Sequence, residues 1–485
     1  MNENLYCTFT ALTDKSGKTA LRLPDDTSLS FADLDHLAAQ MAGVLKSRGV
    51  KVGDRVAVKV AKTAVSLALY LGCLRMGAIY LPMNTAYTQD EVAYILGDAK
   101  PSLVVFDPQN TDMAPCPVLH LDAQGKGSLF DALGTPDEEI IGRDKDDIAA
   151  ILYTSGTTGR PKGAMLSHGN LSSNARTLCE AWHFTANDVL LHGLPIFHAH
   201  GLFVAVNMAL MMGNETIFLQ NFNAEDLLTY IKDATVYMGV PTHYVRLLKD
   251  PGLTADSVAN MRLFISGSAP LLPEHFTAFE ERTGHRILER YGMTETIMNC
   301  SNPYEGPRVP GSVGPALPGI DARLSNKDGA VGVLEIRGPN VFQGYWRKPD
   351  ITTQAFTEDG YFITGDLAEI DNNGRIRLVG RANDMIISGG FNVYPLEVEE
   401  LLNRMDGIEE SAVIAIPHED FGEAVVAVYT GIEADETALK TQIKSRLASY
   451  KTPKRFIHVA DLPRNTMGKV EKAKLRLTYK NLFQD

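Results

Sequence analysis

Apolar residues at Phe31, Leu34, Leu37, Ala38, Met41 and Leu45 recur at helical spacing, which predicts a helix over 31–48 that stops at Gly49. The next segments read as a strand at 55–60 and a helix over 64–76. Short apolar or β-branched runs follow at 103–106, 148–152, 189–194, 216–219, 236–240 and 263–265, most of them separated by helix-like stretches such as 171–182. This alternation predicts an α/β fold: a layered large domain with a mainly parallel sheet. Near Gly311 the pattern changes to shorter strands and more turns, as at 332–338 and 374–379, predicting a β-rich subdomain. Beyond Asn383 the order is helix 395–405, strands 411–416 and 424–430, helix 436–450 and strand 456–459. That is a small mobile α+β domain of roughly 100 residues, large enough to fold alone. The expected division is therefore 1–382 and 383–485.

Composition narrows the class. A chain of 485 residues exceeds a single core, and 45% hydrophobic with 22% charged residues fits a globular protein. A formal charge of −13 disfavours nucleic-acid partners. The start carries no basic leader with a long apolar run, and the apolar stretches 64–74 and 201–212 fall short of a membrane span. Five scattered cysteines argue against a disulfide framework or a zinc site. The expectation is a cytoplasmic protein without membrane or nucleic-acid partners, either monomer or homodimer.

Candidate chemistry centres on Tyr153–Gly163, which follows the run at 148–152. Gly156, Gly159 and Gly163 permit close backbone approach, Thr154, Ser155, Thr157 and Thr158 add hydroxyls, and Lys162 adds a charge. Successive N–H groups and a lysine suit a polyphosphate, although the residue order is not that of the P-loop or the dinucleotide fingerprint. In Glu289–Thr296, Tyr291 can stack on a base, Thr294 can donate to an α-phosphate oxygen, and Glu295 is a hard ligand for Mg²⁺. Asp366, in Tyr361–Asp366, can accept from ribose hydroxyls with Arg381 beside it. Lys469 lies in a Pro463–Val470 loop, and Ser388, Gly389 and Gly390 open the last domain.

Together these motifs resemble the adenylate-forming superfamily of acyl-CoA synthetases, luciferases and peptide-synthetase adenylation domains. The resemblance runs from Tyr153 to Lys469 and implies ATP, Mg²⁺ and coenzyme A. It places ATP against Thr154–Gly159, Lys162, Ser268, Ala269, Glu289, Tyr291, Gly292, Met293, Thr294, Asp366 and Arg381. It makes Lys469, Thr294 and Glu295 the catalytic set, Glu295 the metal ligand, and Ser388–Gly390 a border of the CoA tunnel. The pivot of the small domain, usually Asp or Lys in the family, is Asn383 here.

The acid is a separate question. Arg290 next to Tyr291, the imidazoles of Phe197-His-Ala-His-Gly201, and the segments 239–246 and 266–270 fall at the family's acyl pocket. There His198, Arg246, Ser268 and Arg290 would receive a second carboxylate, since a buried guanidinium needs an acidic partner. Arg290 could instead pair with Glu289 or Glu295, and the histidines could be hydrogen-bonded core. The combination is similar to the malonyl-CoA synthetases, implying malonate, with methylmalonate as an alternative, as substrate. Two alternatives stay open: a CoA ligase for another short or aryl acid, and a non-catalytic nucleotide-binding protein on the same fold.

Overall fold

The computed structural model describes residues 2–110, 112–154, 161–389, 391–465 and 468–483. The chain forms two compact units, one made of Met1–Ala322 with Ile336–Phe362, the other of Arg323–Glu335 with Ile363–Asp485.

Two sheets build the first unit. The six-stranded sheet runs in the order Val118–His120, Leu103–Phe106, Arg55–Lys59, Ile79–Pro82, Ile148–Thr154, Lys162–Ser167. All neighbours pair in parallel except the last two, which form an antiparallel hairpin with Thr154 opposite Lys162. The eight-stranded sheet has at its centre the parallel strands Leu288–Tyr291, Leu263–Ser266, Val236–Gly239, Val189–His192, Glu215–Phe218 and Thr19–Arg22. Short antiparallel strands, Cys300–Ser301 and Ser28–Ser30, close its two edges.

The helix predicted over 31–48 is Phe31–Ser47, started by a reciprocal cap between Ser30 and Asp33. It packs on Ala64–Arg75, where a Cβ on Gly72 would lie 2.6 Å from that of Met41. Only glycine admits so close a crossing. Arg75, buried beside this contact, donates to Asp35 at 2.5 Å and to Tyr6 at 3.1 Å, so its charge is neutralised.

The second unit contains most of a four-stranded sheet (Asp321–Asp328, Val331–Arg337, Phe362–Ile370, Ile376–Arg381) and a sheet built on the hairpin Ile408–His418 and Gly422–Gly431. The sequence pattern places the β-rich strands in the large domain. By packing they associate with the C-terminal residues, because Asp328 binds Asn392 at 2.9 Å and Arg377 binds Glu400 at 3.0 Å.

Two local differences matter below. Lys162–Ser167 is a strand that the sequence pattern does not predict; its pairing partner 148–154 is what makes it extended. The stretch after His198 was read only as apolar, but His200–Val206 is π-helical, continuing as the α-helix Asn207–Met212. Among the described residues no helix is long and apolar enough to cross a membrane.

Candidate active site

Thr154 and Lys162 are register partners at one end of the antiparallel pair Ile148–Thr154 and Lys162–Ser167. Ser155, Gly156, Thr157, Thr158 and Gly159 lie outside the described residues. The Lys162 Nζ sits 4.6 Å from the ring centroid of Tyr345, whose hydroxyl donates to Glu295 Oε1 at 2.9 Å. Tyr345 thereby links the loop lysine to the acidic residue of the second motif. Tyr345 was missed in the sequence; its only local signal was the aromatic cluster around Gly344. Burial and the Glu295 carboxylate push its hydroxyl well above the ordinary range, so it remains a donor.

Glu289, Arg290 and Tyr291 belong to the strand Leu288–Tyr291, where alternation sends 289 and 291 to one face and 290 to the other. Glu289 accepts from the Gly311 N–H at 3.1 Å; burial raises its carboxyl to about 8, partly offset by the Gly311 and Leu271 N–H groups. Tyr291 is buried, with its hydroxyl 3.7 Å from the Met293 sulfur. A Cβ on Gly292 would meet the Ile297 carbonyl carbon at 2.8 Å, so this position must stay bare. Thr294 is half-buried and Glu295 buried, and Ile297 just after them has φ +54°. A β-branched residue in that region is strained, and the strain sits beside the predicted catalytic pair.

On the opposite face, Arg290 is 3% exposed, and its Nε and Nη2 have no hydrogen-bond partner among the described residues. Burial lowers its guanidinium to about 9. It packs against Gly267, where a Cβ would come within 2.7 Å of Nε. Glycine at 267 is therefore the condition for placing a guanidinium here. His200 is buried with an unpartnered Nε2, and its imidazolium is held well below the ordinary range by burial and then by the Arg290 charge. Ser268, at φ +72°, brings its Oγ to 3.4 Å from His200 Nδ1, and His198 Nδ1 lies 3.4 Å from the His200 N–H.

Arg246 differs from this cluster in being exposed. The helix Pro241–Lys249 buries Pro241, His243, Tyr244 and Leu247, and its 3.6-residue period leaves Arg246 exposed. His243 takes the inward position. It stacks on Phe222 at 3.7 Å, meets the Tyr237 hydroxyl at 2.7 Å, and is pushed down to about 3 by burial and the Arg246 charge. Ala269 is exposed.

In the second unit, Asp366 and Arg381 are register partners on adjacent strands, joined at 2.6 Å. This leaves a buried carboxylate at a strand position where two hydroxyls can be accepted. Asn383 is exposed in the short 3₁₀ turn Ala382–Asp384. Ser388 is buried at the end of Ile386–Ser388, and Gly389 turns with φ +59°, its N–H held by the Phe421 carbonyl at 2.9 Å; Gly390 lies outside the described residues. Lys469 is exposed in a tight loop, with its N–H bonded to Asn465 Oδ1 at 3.0 Å. No cluster of three or more acidic, histidine or cysteine side chains that could hold a metal exists among the described residues. Mg²⁺ bound here would depend on Glu295 together with substrate phosphates, which suits an ion that keeps few protein ligands.

Comparison with known proteins supplies the context. Residues 9–346 match the AMP-binding enzyme family, and residues 397–469 the AMP-binding enzyme C-terminal domain. The malonate–CoA ligase of Arabidopsis thaliana is 33% identical, over 88% of this chain and 78% of that one. The ATP-bound structure of MatB from Rhodopseudomonas palustris is 49% identical, with a TM-score of 0.97 and 100% of both chains covered. A malonyl-CoA ligase in a ternary product complex with methylmalonyl-CoA and AMP is 35% identical, with a TM-score of 0.69, covering 94% of this chain and 100% of that one.

Proposed function

This chain belongs to the AMP-binding enzyme family, and from that premise we propose that it is an ATP-dependent malonyl-CoA synthetase working through an acyl-adenylate. The observation that carries the choice of acid is Arg290. A buried guanidinium with two unpartnered nitrogens is unfavourable unless an anion joins it, and a dicarboxylate can offer one carboxylate to it while the other reacts. Ser268, His198 and His200 lie in the same cluster and supply hydrogen-bonding groups.

In the first half-reaction the free carboxylate oxygen attacks the α-phosphorus of ATP and pyrophosphate leaves. Lys162 and the residues Thr154–Gly159 bind the departing phosphates, Thr294 holds the α-phosphate, and Lys469 neutralises charge as it builds there. Asp366, with Arg381, orients the ribose, and Tyr291 stacks on the base. Tyr345 fixes the Glu295 carboxylate by hydrogen bonding. Mg²⁺, when bound, neutralises phosphate charge. In the second half-reaction the CoA sulfur attacks the acyl carbon and AMP leaves, with Ser388–Gly390 bordering the thiol's path after the residues beyond Asn383 have turned. Free thiols at all five cysteines support a cytoplasmic location.

The test is AMP release with ATP, Mg²⁺ and CoA across malonate, methylmalonate, succinate, acetate and benzoate. Malonate is expected to dominate. Preference for acetate or benzoate refutes the carboxylate clamp while keeping adenylation, and silence with every acid favours a non-catalytic nucleotide-binding protein.

A further inference from the structure

We propose that Lys62 and His192 are positioning residues for acid recognition, holding the first turn of the π-helix through the Gly201 carbonyl and so fixing where His200 stands beside Arg290 and Ser268. The inference rests on the reading of that cluster as the acid pocket.

Lys62 follows the strand Arg55–Lys59 and is 6% exposed. Its Nζ lies 2.8 Å from the His192 carbonyl oxygen, 2.5 Å from His192 Nδ1 and 4.2 Å from the centroid of Phe218. His192 ends the strand Val189–His192 and stacks on Phe218, with centroids 5.4 Å apart. Its Nε2 lies 2.9 Å from the Gly201 carbonyl. A carbonyl can only accept, so Nε2 carries the hydrogen and Nδ1 is bare, ready to accept from Lys62. The donors therefore run in one direction, from Lys62 to His192 to Gly201, and a neutral amine is sufficient for it. Burial favours neutral forms of both side chains.

A π-helix is less well bonded than an α-helix and persists where outside contacts enforce it. Here both ends are held from one stretch of chain. At the far end, the Tyr70 hydroxyl, on the helix Ala64–Arg75, donates to Asn207 Oδ1 at 3.0 Å. Gly201 itself can carry no side chain, because a Cβ would lie 2.9 Å from the Pro195 carbonyl carbon. Release of the Gly201 carbonyl would let the segment rewind toward α-helical bonding, turning His200 relative to the Asn207–Met212 helix. The loss would fall on the acid, since Lys162, Glu295 and Tyr345 lie on other elements.

The variants are His192→Phe, which keeps the stack and removes both nitrogens, Lys62→Met, which keeps the stem, and His192→Gln, which returns an N–H toward Gly201. KM for the acid that the wild type uses best and KM for ATP are measured beside the thermal midpoint. H192F and K62M are expected to raise the acid KM about tenfold or more, a change of the size a lost positioning contact produces, with ATP KM within about twofold. H192Q is expected to recover most of the loss. In spectra of protein labelled with ¹⁵N-histidine, the His200 ring signals should shift in H192F and lose their response to malonate. Unchanged acid KM, or acid and ATP KM rising together with a lowered midpoint, overturns the proposal; K62M and H192Q decide the matter if H192F does not fold. Because the wild-type acid preference is recorded first, failure of the malonate reading is seen separately from failure of this one.

Discussion

Arg290 keeps its charge where burial opposes it, and Gly267 leaves the space for its guanidinium. Such a residue lowers stability to gain binding. Arg290→Met should leave unfolding free energy unchanged or raise it by about 1–3 kcal/mol, since replacing a buried ion by an apolar side chain is often stabilising. The same change should lower kcat/KM for malonate by at least about a hundredfold, roughly 3 kcal/mol, with ATP KM unaffected. Unaltered malonate kinetics would remove Arg290 from the pocket. Glu289 gives a pH prediction. Its folded carboxyl, raised to about 8 by burial, stays protonated where the unfolded one, ordinarily near 4.5, ionises. The folded state then holds the extra proton, so stability should fall as pH rises from about 4.5 to about 8 and level off above. Glu289→Gln, which can still accept from Gly311, should flatten that profile and exceed the wild type at pH 8 and above in urea melts. A parallel pH profile in the variant counts against this assignment.

At the scale of elements, the hairpin 148–154/162–167 is held in place by the start of the next helix. Asn170 accepts from the Ser167 N–H at 2.9 Å, completes the reciprocal cap of His168–Ala181, and donates to the carbonyls of Pro339 and Val341, both at 2.8 Å. Ser167→Ala removes one cap and should cost about 1 kcal/mol. Asn170→Ala also strands buried acceptors and should cost about 2–4 kcal/mol by denaturant midpoint. Equal losses for the two variants would mean that the tie to 339–341 contributes nothing. The tie to 339–341 is not legible in the sequence, because its acceptors are main-chain carbonyls about 170 positions away. The same limit holds for His243 and Arg246: helix phase decides that His243 is buried and Arg246 exposed, and the segment 239–246 does not reveal that phase by itself.

For the whole molecule, the predicted chemistry is divided between the two units: Lys162, Glu295 and Arg290 in one, Asp366, Arg381 and Lys469 in the other. The boundary at Asn383 is a proposal about what moves, and it lies inside the second unit. Lys469→Ala should abolish formation of the acyl-adenylate while thioester formation from supplied malonyl-adenylate survives, read as pyrophosphate release in the first half-reaction and AMP release in the second. Equal loss in both would show that Lys469 does not act in adenylation alone.

The sequence by itself determined the α/β class, the alternating elements of the large domain, and the family, because each depends on local periodicity or on short motifs whose order survives translation into structure. Tertiary structure alone decided that Tyr345 joins Lys162 to Glu295, that Gly267 admits Arg290, that the segment after His198 winds as a π-helix, and that Lys62 reaches it through His192. These depend on contacts between residues far apart in the chain, where burial and missing partners, rather than pattern, set the chemistry.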